Sequence, residues 1–240
     1  MNAARSATGY KGIYLTKRAE TLSEEAFPRR WKQHAVLFSS LRLQRNYFTG
    51  AIQVRRRLEA ACPADATRDY DGVSLLPLTD PEIALMIYDE PDVQRIILPD
   101  ELETFSRYIR DVYMIAQEHE ILPGPRTPHV VVEFLKCRQS FETDTVFEAW
   151  RQARPQGEVA PGQESGVARH AVDRVICKAP LFDFDLVSEL WFRTSEDAQT
   201  YFADPAVKAY REAGRREFFQ PETSITFSGQ VTHAFPPLEA

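Results

Sequence analysis

The sequence predicts an α+β protein made of two tandem ferredoxin-like repeats, each with the element order β-α-β-β-α-β. Three observations support this prediction. The 240 residues suit two domains of about 100–150 residues each. A segment near residue 71 recurs near residue 185, and a proline-rich stretch separates the two halves.

The recurrence relates segment 70–76 (YDGVSLL) to segment 184–190 (FDLVSEL), which share Asp, Val, Ser and Leu in register. Position 71 corresponds to position 185, an offset of 114 residues, and further pairs keep that offset: Glu82 with Glu196, Ala84 with Ala198, Pro91 with Pro205, and Phe105 with Phe219. Trp31 and Trp150 match at a slightly larger offset. A constant offset over about 35 residues indicates an internal repeat.

In the first repeat, hydrophobic patterning predicts strands near residues 10–16, 47–57, 70–78 and 110–118. A helix is expected over residues 23–38, where Thr21 and Ser23 offer caps and acidic residues occupy the first turn. The second helix is expected to begin near Pro81, since proline fits a first helical turn.

The second repeat has predicted strands near residues 130–136, 168–178, 184–192 and 226–233, with helices over 143–153, 195–203 and 205–217. Three prolines and a glycine in 123–128 predict a linker between domains 1–122 and 129–240. A Gly-, Pro- and Gln-rich stretch near 154–166 is expected to form a loop over the second sheet. The two sheets are expected to pack face to face, each covering the other's open side.

Composition excludes several functional classes. A net charge of −6 argues against nucleic-acid binding, and no apolar run approaches the roughly 18 residues of a membrane span. Cys62, Cys137 and Cys177 have no metal-ligand or disulfide spacing, so no metal is expected and a cytoplasmic location fits best. Glycine-rich phosphate loops and a Gly-x-Ser-x-Gly elbow are absent, so no cofactor is expected.

The first predicted helix carries the clearest candidate for chemistry. Steps of four and three residues place Phe27, Trp31 and His34 on one stripe that must face the sheet. His34 is therefore expected to point inward at the last turn, where an imidazole can take and return a proton near neutral pH. The alternative is a buried structural histidine bonded to a backbone carbonyl.

Two motifs resemble the EthD family. Segments 23–27 (SEEAF) and 30–37 (RWKQHAVL) are similar to its first-helix motif, and YDGV at 70–73 and FDLVSELWF at 184–192 to its third strand. The resemblance implies a dimeric α+β barrel closed within one chain, with a pocket between each sheet and its helices. It also implies acid–base chemistry on hydrophobic rings, as in cofactor-free cyclases, dehydratases, lactone isomerases and quinone-forming monooxygenases, beside haem-degrading members. It favours a functional His34.

The second repeat keeps Trp150 but has Ala153 where the first has His34. This predicts one working pocket and one degenerate or regulatory pocket. Alternatively, the second repeat uses His170, which lies four residues from Arg174 on the same strand face and could bind a carboxylate or an enolate with it. The competing interpretation is that these cations face solvent.

The remaining candidates are one acid and three aromatic residues. Asp71 opens the third strand, where it could orient an imidazole, act as a base, or simply cap a turn. Tyr47, Phe48 and Tyr88 are candidates for pocket lining and phenolic hydrogen bonds, although most aromatic residues in a sheet belong to the core.

The leading hypothesis is a cofactor-independent lyase or isomerase acting on a hydrophobic aromatic or polyketide-like molecule by decarboxylation, dehydration, aldol-type cleavage or cyclisation. His34, Asp71 and Tyr47 would be catalytic, and the substrate would contact Phe27, Trp31, Phe48, Tyr88, Trp150, His170 and Arg174. The alternatives are a cofactor-free or haem-linked monooxygenase and a non-catalytic carrier of a hydrophobic metabolite. The outer edges or helices could still pair two chains into a homodimer.

Overall fold

The computed structural model describes residues 9–41, 47–57, 63–153 and 166–238, without the side chains of 83–85 and 150–153. Its strands are β1 Gly9–Thr16, β2 Ala51–Arg56, β3 Gly72–Leu78, β4 Tyr113–Leu122, β5 His129–Leu135, β6 Val167–Cys177, β7 Leu186–Phe192 and β8 Ile225–Phe235. All their pairings are antiparallel. They close into one barrel in the order β1-β3-β2-β8-β5-β7-β6-β4.

The helices are α1 Phe27–Ser40, α2 Pro81–Met86, α3 Leu98–Thr104, α4 Thr143–Ala153, α5 Ser195–Ala203 and α6 Pro205–Glu217. Proline occupies the first turn of α1, α2, α3 and α6, where its missing N–H costs no hydrogen bond. Between α2 and α3 lie a 3-10 turn, Ile87–Asp89, and a π-type turn, Val93–Ile97. No helix in the described part of the chain is long and apolar enough to cross a membrane.

The two halves of the chain are joined by their strand edges. In the first half the strand order is β4-β1-β3-β2, and in the second it is β8-β5-β7-β6. Hydrogen bonding between β2 and β8 and between β4 and β6 closes the ring. The expectation of two sheets stacked face to face was therefore incomplete, because edge pairing also satisfies the backbone groups that free edges would leave open.

Most predicted elements match the structure, and the differences have local causes. The bounds of α4, α5 and α6 are as predicted, and residues 123–128 form neither helix nor strand. Helix α1 begins at Phe27 rather than near residue 23, because Ser23 Oγ accepts the N–H of Ala26 in a preceding turn. Strand β4 starts late because Ile109–Asp111 forms a 3-10 turn. Helix α3 was not predicted.

Side-chain alternation along β1 separates the barrel interior from the helix-facing side. Lys11 points into the barrel, where it meets Asp173 and Glu189 of the second half. Tyr14 points to the other side, where its hydroxyl accepts a hydrogen bond from Trp31 Nε1 at 2.9 Å. Any cavity in contact with Tyr14 therefore lies outside the barrel, between the first half of the sheet and its helices.

Helix α1 is fixed to the sheet by its aromatic stripe. Phe27 and Trp31 are fully buried and stack with ring centroids 5.0 Å apart. The Trp31 ring lies directly on Gly72, where a Cβ atom would stand 2.3 Å from it. Glycine at this position lets the helix approach β3 closely, and that approach sets the position of His34 one turn further on.

Candidate functional site

A cavity of about 290 Å³ lies between the first half of the sheet and its helices, as the resemblance implied. Its walls are mainly aromatic: Tyr14, Phe38, Phe48, Tyr88, Tyr113 and Phe235. Its polar side chains include His34, Gln53, Ser74 and Glu101. Since an apolar cavity of about 150 Å³ holds benzene, this one has room for a molecule of about two rings.

His34 lines this cavity from the middle of α1, not from its last turn, because the helix continues to Ser40. The ring is buried, as predicted, and its Nδ1 lies 2.7 Å from Asp100 Oδ2. Phe105 meets the imidazole edge to face at a centroid distance of 5.1 Å. The histidine is therefore bonded to a carboxylate on α3, 66 residues away, and not to a backbone carbonyl.

Asp100 holds the histidine in one tautomer. Burial alone would raise the pKa of Asp100, but hydrogen bonds from His34 and Arg30 outweigh it, and the pKa lies below its ordinary value. An ionised carboxylate can only accept, so His34 Nδ1 carries the hydrogen and Nε2 is left to exchange protons. Arg30 Nη2, 2.5 Å from Asp100 Oδ1, fixes the carboxylate.

Glu101, the next residue, has the opposite environment. The residue is 1% exposed and lines the cavity, and its Oε2 accepts the N–H of Ile109 at 2.9 Å. Burial raises the pKa of Glu101 to about 7, although the Ile109 N–H and Arg110 oppose the shift. Neighbouring carboxyl groups with pKa values moved apart are typical of paired acid and base roles.

Three tyrosine side chains line the same cavity as Glu101. Burial raises the pKa of Tyr14 to about 12, against the hydrogen bonds from Ser74 and Trp31. It raises the pKa of Tyr88 and of Tyr113 far above their ordinary values. All three therefore stay protonated at neutral pH and present hydroxyl groups rather than charges to the cavity.

Two polar atoms in the cavity wall are left unpaired. The hydroxyl of Tyr113 and Oε1 of Gln53 are buried and have no hydrogen-bond partner within the described residues. The other end of the Gln53 amide is occupied, because its Nε2 donates to the carbonyl of Trp31 at 3.1 Å. Buried polar groups in native proteins are rarely unpaired, so two on residues that line the same cavity require an explanation.

Gly12 makes room for Tyr113. A Cβ atom at Gly12 would lie 2.0 Å from the Tyr113 hydroxyl oxygen and 2.3 Å from its ring. Gly12→Ala should therefore force the ring aside and lower the free energy of unfolding by about 1–3 kcal/mol, measured by urea denaturation. Gly9→Ala on the same strand is the control, since a Cβ there meets nothing within 4 Å. Equal stability of the two variants would contradict the proposed contact.

The structure brings some of the sequence-predicted residues to this cavity and not others. His34, Phe48 and Tyr88 line it, whereas Phe27 and Trp31 pack beneath it in the core. Tyr47 does not line the cavity; its carbonyl accepts the N–H of Thr79 at 2.9 Å. The side chains at Trp150 and Ala153 lie outside the described residues, so the predicted loss of the histidine's counterpart is not tested.

Asp71 also lies away from the cavity. It accepts the backbone N–H of Arg18 at 2.9 Å and forms ion pairs with the side chains of Arg18 and Arg56. Asp185 has the corresponding place in the second half, where it accepts the N–H of Cys137 at 2.8 Å. These contacts match the turn-capping alternative given above for Asp71.

His170 and Arg174 are not brought together at a binding site. His170 is buried, with Nε2 3.0 Å from Ser188 Oγ. Arg174 donates to Asp144 at 2.6 Å and to Gln117 at 3.2 Å. Neither lines the cavity.

Sequence reasoning missed Asp100, Glu101, Tyr14, Gln53 and Tyr113. The segment 98–101 (LPDE) could have been recognised as a helix start, with proline and two acids in the first turn. That pattern would have been explained by the helix dipole alone. Nothing local indicates that one of these acids faces a histidine 66 residues earlier.

Inside the barrel, three buried carboxylates lie close enough to share a cation: Glu118, Asp173 and Glu189. Lys11 already stands among them. Its Nζ is 2.6 Å from Glu189 Oε1 and 3.1 Å from Asp173 Oδ1, and it also bonds to Glu118. The ammonium occupies the position that a metal ion would take, so this cluster has its own counterion.

A closed antiparallel α+β barrel with a helix-side cavity defines the structural class. The family model described as "EthD domain" matches residues 19–107 and 161–222, more than half of the chain. The protein therefore belongs to the EthD family. The first matched range includes His34 and Glu101.

Solved structures share the fold at low identity. An anthrone oxidase-like protein has a TM-score of 0.65 and 13% identity over 97% of this chain and 94% of its own. A chlorite dismutase mutant from Candidatus Nitrospira defluvii has a TM-score of 0.54 and 10% identity over 95% and 92%. A protein proposed to be a monooxygenase, from Fusobacterium nucleatum subsp. nucleatum, has a TM-score of 0.53 and 7% identity over 94% and 93%. No curated protein sequence matches this chain.

Proposed function

We propose that this protein is an enzyme that catalyses proton transfer on a hydrophobic aromatic small molecule, which binds in the cavity between the first half of the sheet and its helices. The observation that carries the proposal is Glu101, a buried carboxyl group with a pKa of about 7, placed in the same apolar cavity as the His34–Asp100 pair. A base whose pKa lies near the working pH combines a large ionised fraction with useful basicity.

In the proposed reaction, Glu101 takes a proton from a carbon next to a carbonyl group of the substrate. The C–H bond breaks, its electron pair stays on the substrate as an enolate, and Glu101 becomes the neutral acid. His34, which has taken a solvent proton on Nε2 before the reaction, donates that proton to a second position or to a leaving hydroxyl group, and Glu101 returns its proton to solvent at the end of the turnover. Asp100 stabilises the imidazolium form before that transfer. Isomerisation, dehydration and ring closure all follow from this one enolate.

A lyase or isomerase remains the leading hypothesis, with the acid and the base both supplied by the chain. Glu101 and Asp100 take the catalytic roles that the sequence suggested for Asp71 and Tyr47, because Asp71 and Tyr47 do not line the cavity. The aromatic walls exclude water and so strengthen each electrostatic contact within the site. They also favour planar substrates over flexible polar ones.

His34→Gln is expected to lower kcat by about 10²-fold, since glutamine can bond to Asp100 but cannot carry a proton at neutral pH. Steady-state turnover of a bicyclic hydroxyaromatic ketone measures the effect, with circular dichroism to verify folding. Gln33→Ala, on the exposed side of the same helix, is the control. Full turnover by a folded His34→Gln variant would remove His34 from the mechanism.

A second candidate is oxygenation of the same anion. Similarity in fold to an anthrone oxidase-like protein and to a protein proposed to be a monooxygenase supports it. An oxygen electrode separates the two reactions. Oxygenation is indicated if oxygen uptake matches substrate loss under air and substrate loss stops under nitrogen. Equal rates of substrate loss under air and nitrogen indicate a lyase or isomerase. A ligand that co-purifies and never turns over would instead indicate a binding protein.

We also infer that the chain arose by tandem duplication of a ferredoxin-like unit, with one working cavity in the first half. The matching element and strand orders of the two halves support this. We further propose that the two repeats correspond to residues 1–122 and 129–240, and that the protein is cytoplasmic. Sedimentation analysis would test whether two such chains also form a homodimer.

A further inference from the structure

We infer that the cavity is specific for neutral molecules that accept a hydrogen bond from Tyr113 and donate one to Gln53, and that it rejects carboxylates. Such a ligand is a planar ketone with a hydroxyl group elsewhere on its ring system. The inference rests on the proposed function only in taking this cavity as the substrate site. It concerns binding, not proton transfer.

The Tyr113 hydroxyl is the hydrogen-bond donor that a ligand would meet. It is buried and has no hydrogen-bond partner among the described residues, and Tyr113 is one of the residues that line the cavity. A buried hydroxyl without a partner costs stability, whereas phenylalanine at the same place would not. The space over Gly12 that accommodates this ring would also accommodate the ring without its oxygen. The hydroxyl is therefore accounted for by a ligand atom that accepts from it.

Gln53 Oε1 is the hydrogen-bond acceptor that a ligand would meet. Because its Nε2 donates to the Trp31 carbonyl at 3.1 Å, the orientation of the amide is fixed. The remaining atom, Oε1, is buried, unpaired and can only accept. A ligand bound here has to present a hydroxyl or N–H group to it. One donor and one acceptor in an aromatic cavity thus specify opposite hydrogen-bonding groups on the ligand.

Charge excludes carboxylates. No lysine or arginine lines the cavity within the described residues, and Glu101 contributes a negative charge once the pH exceeds about 7. Arg30, on the same helix as His34, is already paired with Asp100 and Glu103. His34 also lines the cavity, but its imidazole is already paired with Asp100. A bound carboxylate would therefore lose its water without gaining an unpaired counterion, which is strongly unfavourable. Decarboxylation is accordingly removed from the reactions considered above.

Two naphthalene derivatives test this specificity: a hydroxy-acetylnaphthalene, and the hydroxynaphthoate with the carboxylate in place of the acetyl group. Dissociation constants are measured by titration calorimetry at pH 8, with naphthalene as the reference. The ketone should bind roughly 100-fold more tightly than the carboxylate. Failure of the ketone to bind, or equal affinity for the two compounds, would overturn the inference.

Tyr113→Phe isolates the hydroxyl group. It should weaken binding of the ketone roughly 3- to 10-fold and leave the affinity for naphthalene unchanged. The same variant should be at least as stable as wild type in urea, a result that a structural role of the hydroxyl would not give. Tyr70→Phe is the matched control, since Tyr70 packs against Phe182 and does not line the cavity.

Unchanged ketone affinity in Tyr113→Phe, or loss of stability, would show that the hydroxyl does not serve a ligand. These binding results are independent of turnover. A fully active His34→Gln variant would defeat the proposed function and leave the specificity intact, whereas unchanged binding by Tyr113→Phe would defeat the specificity and leave acid–base catalysis intact.

Discussion

Glu101→Gln should lower kcat/KM by up to about 10⁴-fold and at the same time stabilise the protein above pH 7. Glutamine keeps the shape of the side chain and can still accept the Ile109 N–H. It cannot take a proton from the substrate. Loss of activity without loss of structure is therefore the expected result for a base held in a buried position.

The stability gain follows from the pKa of Glu101, which burial raises from an ordinary 4.5 to about 7. Between those pH values the native protein holds a proton that the unfolded chain has released. Native stability therefore falls as pH rises from 4.5, and the full cost, roughly 3 kcal/mol, is present above pH 7. Glutamine has no such cost, so the free energy of unfolding of the variant should increase relative to that of wild type as the pH rises.

Urea denaturation at pH 4.5 and pH 8, together with the pH profile of kcat/KM, measures both effects. The wild-type profile should rise through a pKa near 7, and residual activity of the variant should lack that rise. Glu103→Gln is the control, because Glu103 lies on the same helix with its side chain 76% exposed. A stability difference that does not change with pH would contradict the assignment of this pKa to Glu101.

The sequence was sufficient for features that repeat at short range. The 3.6-residue periodicity of Phe27, Trp31 and His34 predicted the buried face of α1, and all three side chains are buried. Strand patterning located all eight strands of the described residues to within a few positions. These predictions succeed because burial of one helix or strand face leaves a regular mark on neighbouring residues.

Features that depend on distant contacts left no such mark. The function proposed for Glu101 depends on where α3 packs. The segment 98–101 (LPDE) would have the same sequence if it began a helix exposed to solvent. Closure of the barrel depends on β2 finding β8, whose residues lie some 180 positions away. The aspartates show the reverse case: Asp71 and Asp185 recur because each holds a backbone N–H. The recurrence of these two aspartates therefore indicates a structural role and not a catalytic one.

Lys11→Met should lower the free energy of unfolding by about 3–5 kcal/mol, the expected cost of removing one partner from a buried ion cluster. Lys11 is 2% exposed and its ammonium contacts Glu118, Asp173 and Glu189 inside the barrel. Methionine fills a similar length but leaves three carboxyl groups together without that counterion. The cluster also crosses between the halves, since Lys11 lies on β1 and Asp173 on β6.

The pKa shifts in this cluster give the prediction a pH signature. Burial opposes the charge on Lys11, but the carboxylates outweigh it and raise the pKa of Lys11 above its ordinary value. Burial raises the pKa of Asp173, whereas the pKa of Glu118 is depressed because Lys11 and Arg126 outweigh burial. Without Lys11, all three carboxyl groups should bind protons more tightly in the native state, so the deficit of Lys11→Met should grow as pH rises above about 4.5.

Two variants complete the comparison. Lys32→Met removes an exposed lysine from α1 and should change stability by no more than about 0.5 kcal/mol. Lys11→Met combined with Glu189→Gln removes one negative charge along with the positive one, and should recover part of the loss. Trp191 Nε1 now donates to Glu189 Oε2 at 3.0 Å, a bond that the glutamine oxygen can also accept. If Lys11→Met were as stable as wild type at pH 8, the ammonium would not be what holds these carboxylates together across the two halves of the barrel.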